Sequence, residues 1–277
     1  MLATGLTLAG GAMADQAEAG PASSLSAPGP RRLDVEISAY PLVFAQVRIN
    51  DHPALALVDT GSSSPLQLSA RLAGELQLAL VSDPSRTVRG LDGRRLAVQR
   101  ATITTFVAGG GVDRDIQAEV AADRIESIAA QVGTPFDVIL GWGFLSRSDF
   151  TLDYRQRVLR LDDGPAPPSG RGLAVGYLVV NRLPMVPARW GGRDIQLLLD
   201  TGAPMCNIDA DFAHAEAGSV VSQDVVLGTT TLALQWRAKD LSVMRTALGA
   251  AGALGNNLLG RYAVHVDTRN RRIHLDV

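Results

Sequence analysis

The chain has 277 residues, 46% of them apolar and 19% charged, with a formal net charge of −2. That length suffices for two domains with separate cores, the composition is too apolar for disorder, and the charge is too nearly balanced for a nucleic-acid partner. A single cysteine, Cys206, excludes an intrachain disulfide and a cysteine-based zinc site, and reads as a small apolar filler.

Residues 1–30 stand apart. Leu2 to Met13 is a short Ala/Gly/Leu-rich stretch, and Ala12-Met13-Ala14 and Ala17-Glu18-Ala19 offer small-x-small cleavage patterns. Such a segment reads as a secretory signal too short to span a membrane, followed by a flexible Pro21–Pro30 lead-in, although no positive n-region precedes it. Export to a periplasm or to the medium is the expectation, and no other stretch is apolar enough to insert stably in a membrane.

From Leu33 the pattern is that of a β protein. Leu33–Ala39 and Val43–Ile49 alternate apolar and polar residues as half-buried strands do. Ala54–Val58 is a buried strand that delivers Asp59 into a tight loop, where Gly61 lets the backbone turn close to the carboxylate. Ser69 is an N-cap for a short helix ending near Leu76. Val88–Gly90 and Arg94–Thr104 flank Leu91-Asp92-Gly93, a tight hairpin tip. Gly109-Gly110-Gly111 is a loop and not a phosphate cradle, because no Lys-Ser/Thr follows. Thr151–Leu152 and Val158–Leu161 form a closing strand pair, with Asp153 as a turn residue. Residues 162–172 are a polar, Pro/Gly-rich linker. Beyond it, Asp209 caps a helix at Ala210–Glu216, strands follow at Val225–Leu227 and Thr231–Arg237, and Asp267 is again a turn residue. The four histidines (His52, His214, His265, His274) lack metal-ligand spacing, so surface or loop roles are expected and no metal is implied.

Asp-Thr-Gly occurs twice, at Asp59–Gly61 and Asp200–Gly202, each time after an apolar run. The triplets belong to a repeat. At an offset of 141 (200 minus 59), Leu42–Val58 lies on Leu183–Leu199 without a gap, and Arg48 meets Arg189. At an offset of 114 (254 minus 140), Ile139–Leu145 lies on Ala253–Leu259 and Phe150–Asp153 on Val264–Asp267. Self-similarity of this extent marks a duplicated unit. The two offsets leave the first copy 27 residues longer (141 minus 114) between its landmarks, an excess expected to hold a hairpin that the second copy lacks.

An apolar strand, Asp-Thr-Gly-Ser/Ala, a middle section, apolar-Leu-Gly-x-x-apolar-Leu and a closing strand pair together resemble a retropepsin-type aspartic protease. The chain is similar to a fused pair of such units over residues 33–161 and 173–277. The resemblance implies an all-β fold of two similar retropepsin-like β-barrel lobes with short helices, related by a pseudo-twofold axis, the active site lying between them. The organisation is then 1–30 leader, 31–161 first lobe with flap, 162–172 linker and 173–277 second lobe.

The resemblance also assigns roles. Asp59 and Asp200 hold a water between them; two facing carboxylates share one proton, so one acts as base and the other as acid. Thr60 and Thr201 bond across to the opposite loop, and the amides of Gly61 and Gly202 hold the carboxylates. A Ser62 hydroxyl on Asp59, with no counterpart at Ala203, would favour Asp59 as the ionised member. Gly90, Leu91, Asp92 and Gly93 would be the tip of a single flap, although Arg89–Arg95 lacks the aromatic residue that the pepsin lineage uses there. The reading is an aspartic endopeptidase, monomeric, without cofactor, acting on an extended peptide or protein. The alternatives are a peptide-binding protein of the same fold and a maturation or regulatory protease with one dedicated substrate.

Overall fold

A computed structural model describes residues 8–9, 30–89, 95–121, 124–164 and 172–277. The leader other than Leu8–Ala9 and Pro30, the flap tip at 90–94 and linker residues 165–171 lie outside the described residues. The chain is mostly β and forms two barrel-like sheets of the retropepsin kind.

Each lobe is built round the same local device. In the first, Val43–Ile49 and His52–Asp59 pair through a two-residue turn whose Asn50 and Asp51 both take positive φ. That is the turn chemistry a right-twisted hairpin requires. In the second, Leu183–Trp190 and Arg193–Leu199 pair in the same way round Gly191 and Gly192, also at positive φ. The strand carrying the triplet then runs parallel to a short buried strand: His52–Asp59 beside Val138–Gly141, and Arg193–Leu199 beside Gly252–Leu254. A third strand, Leu66–Leu68 or Asn207–Asp209, lies antiparallel to that one. Two strands pointing at the lobe boundary thus end at Asp59 and at Asp200.

The lobes are joined by more than a linker. Phe150–Asp153 pairs antiparallel with Ala263–Asp267, so the closing pair of each lobe continues into that of the other. Arg31–Ile37 and Leu173–Gly176 flank this shared sheet on its two sides. Thr151 stands opposite His265, its own counterpart at the 114 offset, so the pseudo-twofold axis passes between them. His265 departs from the surface role expected of it. It is 3% exposed, and its Nδ1 lies 2.7 Å from Thr151 Oγ1. Burial between sheet neighbours, invisible in residue spacing, is what changes its environment.

The excess of the first lobe can be placed. Arg48 is in register with Val107 and Arg189 with Val226, an offset of 119 (226 minus 107). Of the 27 extra residues, 22 (141 minus 119) therefore lie between the triplet and that point. They are occupied by Val81–Arg89 and the start of Arg95–Ala108, which pair as a hairpin whose first strand begins at Val81, well before the expected start at Val88. Leu8–Ala9 pairs along its outer strand at Val88–Arg89. Gly109 and Gly110 form the two-residue turn into the next strand, Gly111–Ala121. The second lobe keeps only the short pair Val225–Leu227 and Thr230–Leu232, followed by Gln235–Lys239.

Ser69 caps Ala70–Glu75 by accepting the Leu72 amide at 3.0 Å, and Asp209 caps Ala210–Ala213 by accepting that of Phe212 at 2.9 Å. Two helices absent from the expected layout cover the outer faces of the lobes. Arg124–Val132 lays Ile125, Ile128 and Val132 on Leu42, Phe44, Leu57 and Ile139. Ser242–Leu248 lays Met244 and Leu248 on Leu183, Met185 and Leu198. Burying a large aliphatic side chain stabilises by roughly 1.5–3 kcal/mol, so these caps are substantial parts of each core.

Candidate active site

The two triplets meet where the lobes touch. Asp59 and Asp200 are 6% and 7% exposed. The Gly61 amide donates to Asp59 Oδ1 at 2.8 Å, and the Gly202 amide to Asp200 Oδ1 at 3.0 Å. Glycine is required at both positions for reasons of space. A Cβ on Gly61 would stand 2.6 Å from Asp200 Oδ1, and one on Gly202 would stand 2.5 Å from Asp59 Oδ1. Each loop therefore presses its bare backbone against the carboxyl group of the other.

Four hydrogen bonds lock the loops. Thr60 Oγ1 accepts the Thr201 amide at 3.0 Å and donates to the Leu199 carbonyl at 2.7 Å. Thr201 Oγ1 accepts the Thr60 amide at 3.0 Å and donates to the Val58 carbonyl at 2.8 Å. Each hydroxyl uses both its proton and a lone pair across the boundary, so neither threonine could be replaced by an apolar residue without orphaning buried backbone groups.

Behind the loops, Gly141 and Gly255 end the buried short strands. A Cβ there would fall 2.1 Å from the Ser64 carbonyl oxygen or 2.4 Å from that of Met205. Cys206 is fully buried beside the second of them, its Sγ accepting the Gly255 amide at 3.3 Å. Burial pushes its thiol up to about 12, so it stays protonated. Asp153 and Asp267 accept turn amides from Arg155, Gln156 and Asn270 and lie apart from the dyad chemistry.

The Ser62 hydroxyl takes a different partner from the one expected. It accepts from Gln67 Nε2 at 3.1 Å, and the backbone amide of Ser62 faces the Asp59 carboxylate instead. The two carboxyls are nonetheless unequal. Burial raises Asp59 to about 6; the Gly61 amide, the positive charge of Arg124, a hydrogen bond with Asp200 and the Ser62 amide hold it down. Burial and then the charge of Asp59 raise Asp200 well above the usual carboxylate range, against the Gly202 amide and the charge of Lys239. The upward shift is thus the greater at Asp200. Arg124 and Lys239, each at a strand-to-helix junction, are site residues that the sequence reading missed. Lys239 carried a signal, being the only lysine in the chain.

The two strand-end aspartates of the duplicated units are cross-locked by threonines and both raised by burial, which is an arrangement able to give and take protons. Residues 45–144 match the model of the aspartyl protease family. The first lobe is a retropepsin-like aspartyl protease unit. No curated protein matches the chain. The match supports aspartic protease chemistry in general, that of a peptidase hydrolase with peptides as substrates. Among the described residues, no helix is long and apolar enough to cross a membrane.

Proposed function

We propose that the chain is a single-chain aspartic endopeptidase, with one catalytic aspartate from each lobe. The supporting observation is the reciprocal threonine lock, which sets each carboxyl against the glycine of the opposite loop. Asp59, ionised, takes a proton from a water held between the carboxyls as that water attacks the scissile carbonyl. Asp200, protonated, donates to the carbonyl oxygen as it becomes an oxyanion. Collapse of the tetrahedral species returns a proton to the leaving nitrogen, and no covalent enzyme intermediate arises. The hairpin of Val81–Arg89 and Arg95–Ala108 is the flap, holding extended peptide over the dyad. Residues 90–93, which connect its two strands in the sequence, are the natural place to shorten it. Both aspartates are supplied in cis, so a monomer suffices and specific activity is independent of dilution. Export is part of the proposal on the strength of Leu2–Met13 alone, and N-terminal sequencing of secreted material would test it.

The deciding experiment is cleavage of a random peptide library by the wild type, by Asp59→Asn and by Asp200→Asn, with and without a statine-type inhibitor. Hydrolysis is expected to be acidic in optimum, blocked by the inhibitor and lost by about 10³-fold or more in either variant, the double variant being scarcely worse. Peptide binding without cleavage by the wild type would establish the peptide-binding alternative instead.

A further inference from the structure

Symmetry predicts equivalent supports behind the two catalytic loops, and at one position they differ. Asn256 stands where the first lobe has Trp142. The backbone setting is the same: Trp142 donates its amide to the Ser62 carbonyl at 2.7 Å, and Asn256 to the Ala203 carbonyl at 2.9 Å. The side chains diverge. Trp142 packs edge-on against Phe150 and Tyr177, with ring centroids 6.2 and 5.6 Å apart. Asn256, 4% exposed, turns into the lobe boundary. Its Nδ2 donates to the Thr201 carbonyl at 2.8 Å and also to the Pro41 carbonyl of the first lobe. Its Oδ1 accepts from the Tyr154 hydroxyl, again from the first lobe, at 2.6 Å.

The Thr201 carbonyl belongs to the same peptide unit as the Gly202 amide, and that amide donates to Asp200 Oδ1 at 3.0 Å. Hydrogen bonds therefore run without a break from Tyr154 through Asn256 and one peptide group to the carboxyl of Asp200. A donor on a carbonyl polarises the peptide and makes its N–H the stronger donor, by about 10–30% per bond. The corresponding place behind Asp59 is filled by the Trp142 ring, packed on other rings.

We propose that Asn256 and Tyr154 are positioning residues for Asp200, their relay strengthening the Gly202 amide bond so that Asp200 can give up its proton during turnover. This rests on the reading of Asp200 as the acid of the pair. The charged and titratable groups facing Asp200 are Asp59, which opposes its ionisation, Lys239, which favours it, and the Tyr154 hydroxyl itself. Burial and then the charge of Asp200 push the Tyr154 phenol above its usual range, so it remains a donor throughout the working pH range.

The test is kcat/KM against pH for Tyr154→Phe and Asn256→Leu, together with carboxyl-carbon NMR titration of the aspartates in the same proteins. The alkaline limb, set by ionisation of Asp200, is expected to move up by about 0.2–0.6 pH unit, less in Tyr154→Phe than in Asn256→Leu, with KM unchanged. The Asp200 titration should move with it. Activity lost evenly across pH with the limb in place, or an unmoved carboxyl titration, would show a merely structural tie and overturn the proposal. Should Asn256→Leu fail to fold, Tyr154→Phe decides alone, because its ring still fills the space. The carboxyl titration needs no turnover, so it judges the relay even where the wild type cleaves nothing.

Discussion

The first lobe is the longer, and the second sends a buried asparagine across to its neighbour. Both deliver an aspartate from the end of a buried strand, hold it with the amide two residues on and bond the facing loop through a threonine. They part company at two places away from the carboxyls. The first alone carries the long hairpin, and the second alone sends an amide side chain into the back of its catalytic loop. Duplication kept what places the dyad, and the surroundings were free to diverge.

Gly61→Ala and Gly202→Ala are the most severe probes of what is shared. Each adds a carbon within about 2.6 Å of the opposite carboxyl. Displacing a reacting group by about 1 Å costs on the order of 10²-fold in rate. Equal losses in kcat/KM are expected, and a loss confined to one lobe would break the equivalence of the two loops.

The shared proton should also appear in stability. A carboxyl raised from 3.8 to about 6 in the folded state makes that state bind more protons than the unfolded chain between those values. Stability from this source is present in full below pH 3.8 and is lost as pH rises through 6. The loss is about 3 kcal/mol for Asp59. Urea titrations at pH 4.5 and 7.5 should show the double Asn variant gaining on the wild type at the higher pH. An unchanged difference between the two would mean that the carboxyls are solvated and independent.

Replacing Thr60 or Thr201 by Val leaves a buried amide and a buried carbonyl without their partner. About 1–3 kcal/mol is expected for each unsatisfied group, similar in the two variants, by thermal or urea unfolding. The smallest effect separates the lobes again. Lys239→Met removes a charge that favours ionised Asp200, and Arg124→Met one that favours ionised Asp59. The alkaline limb of the rate profile should rise by a fraction of a pH unit in the first variant, and the acid limb in the second. Movement of the same limb in both would mean that the pair titrates as one unit without lobe identity.

Much of this could be read in the chain because a duplication writes the same pattern twice. The triplets, the strands before them, the Leu-Gly turns and both helix caps stand in the residues themselves. The place of the longer first lobe also follows from two offsets. Other features carry no local signal. The pairing of Phe150–Asp153 with Ala263–Asp267 joins strands more than a hundred residues apart, and nothing in either announces it. The Ser62 hydroxyl turns toward Gln67, a choice made by packing. The helix Arg124–Val132 was legible in principle, since Ile125, Ile128, Ala129 and Val132 keep helical spacing; its brevity and its position amid strands hid it.

The sheet that joins the lobes bears on whether either half is a separable unit. Cutting the chain in the 162–172 linker would leave Phe150–Asp153 and Ala263–Asp267 as bare strand edges, apolar and with a row of open amides and carbonyls. Such edges recruit whatever strand is available. A half expressed alone would therefore find either its missing partner or a second copy of itself, and the second outcome would rebuild a symmetric pair in which Thr151 faces Thr151 or His265 faces His265. Only the pairing of two unlike halves sets threonine against histidine at that point.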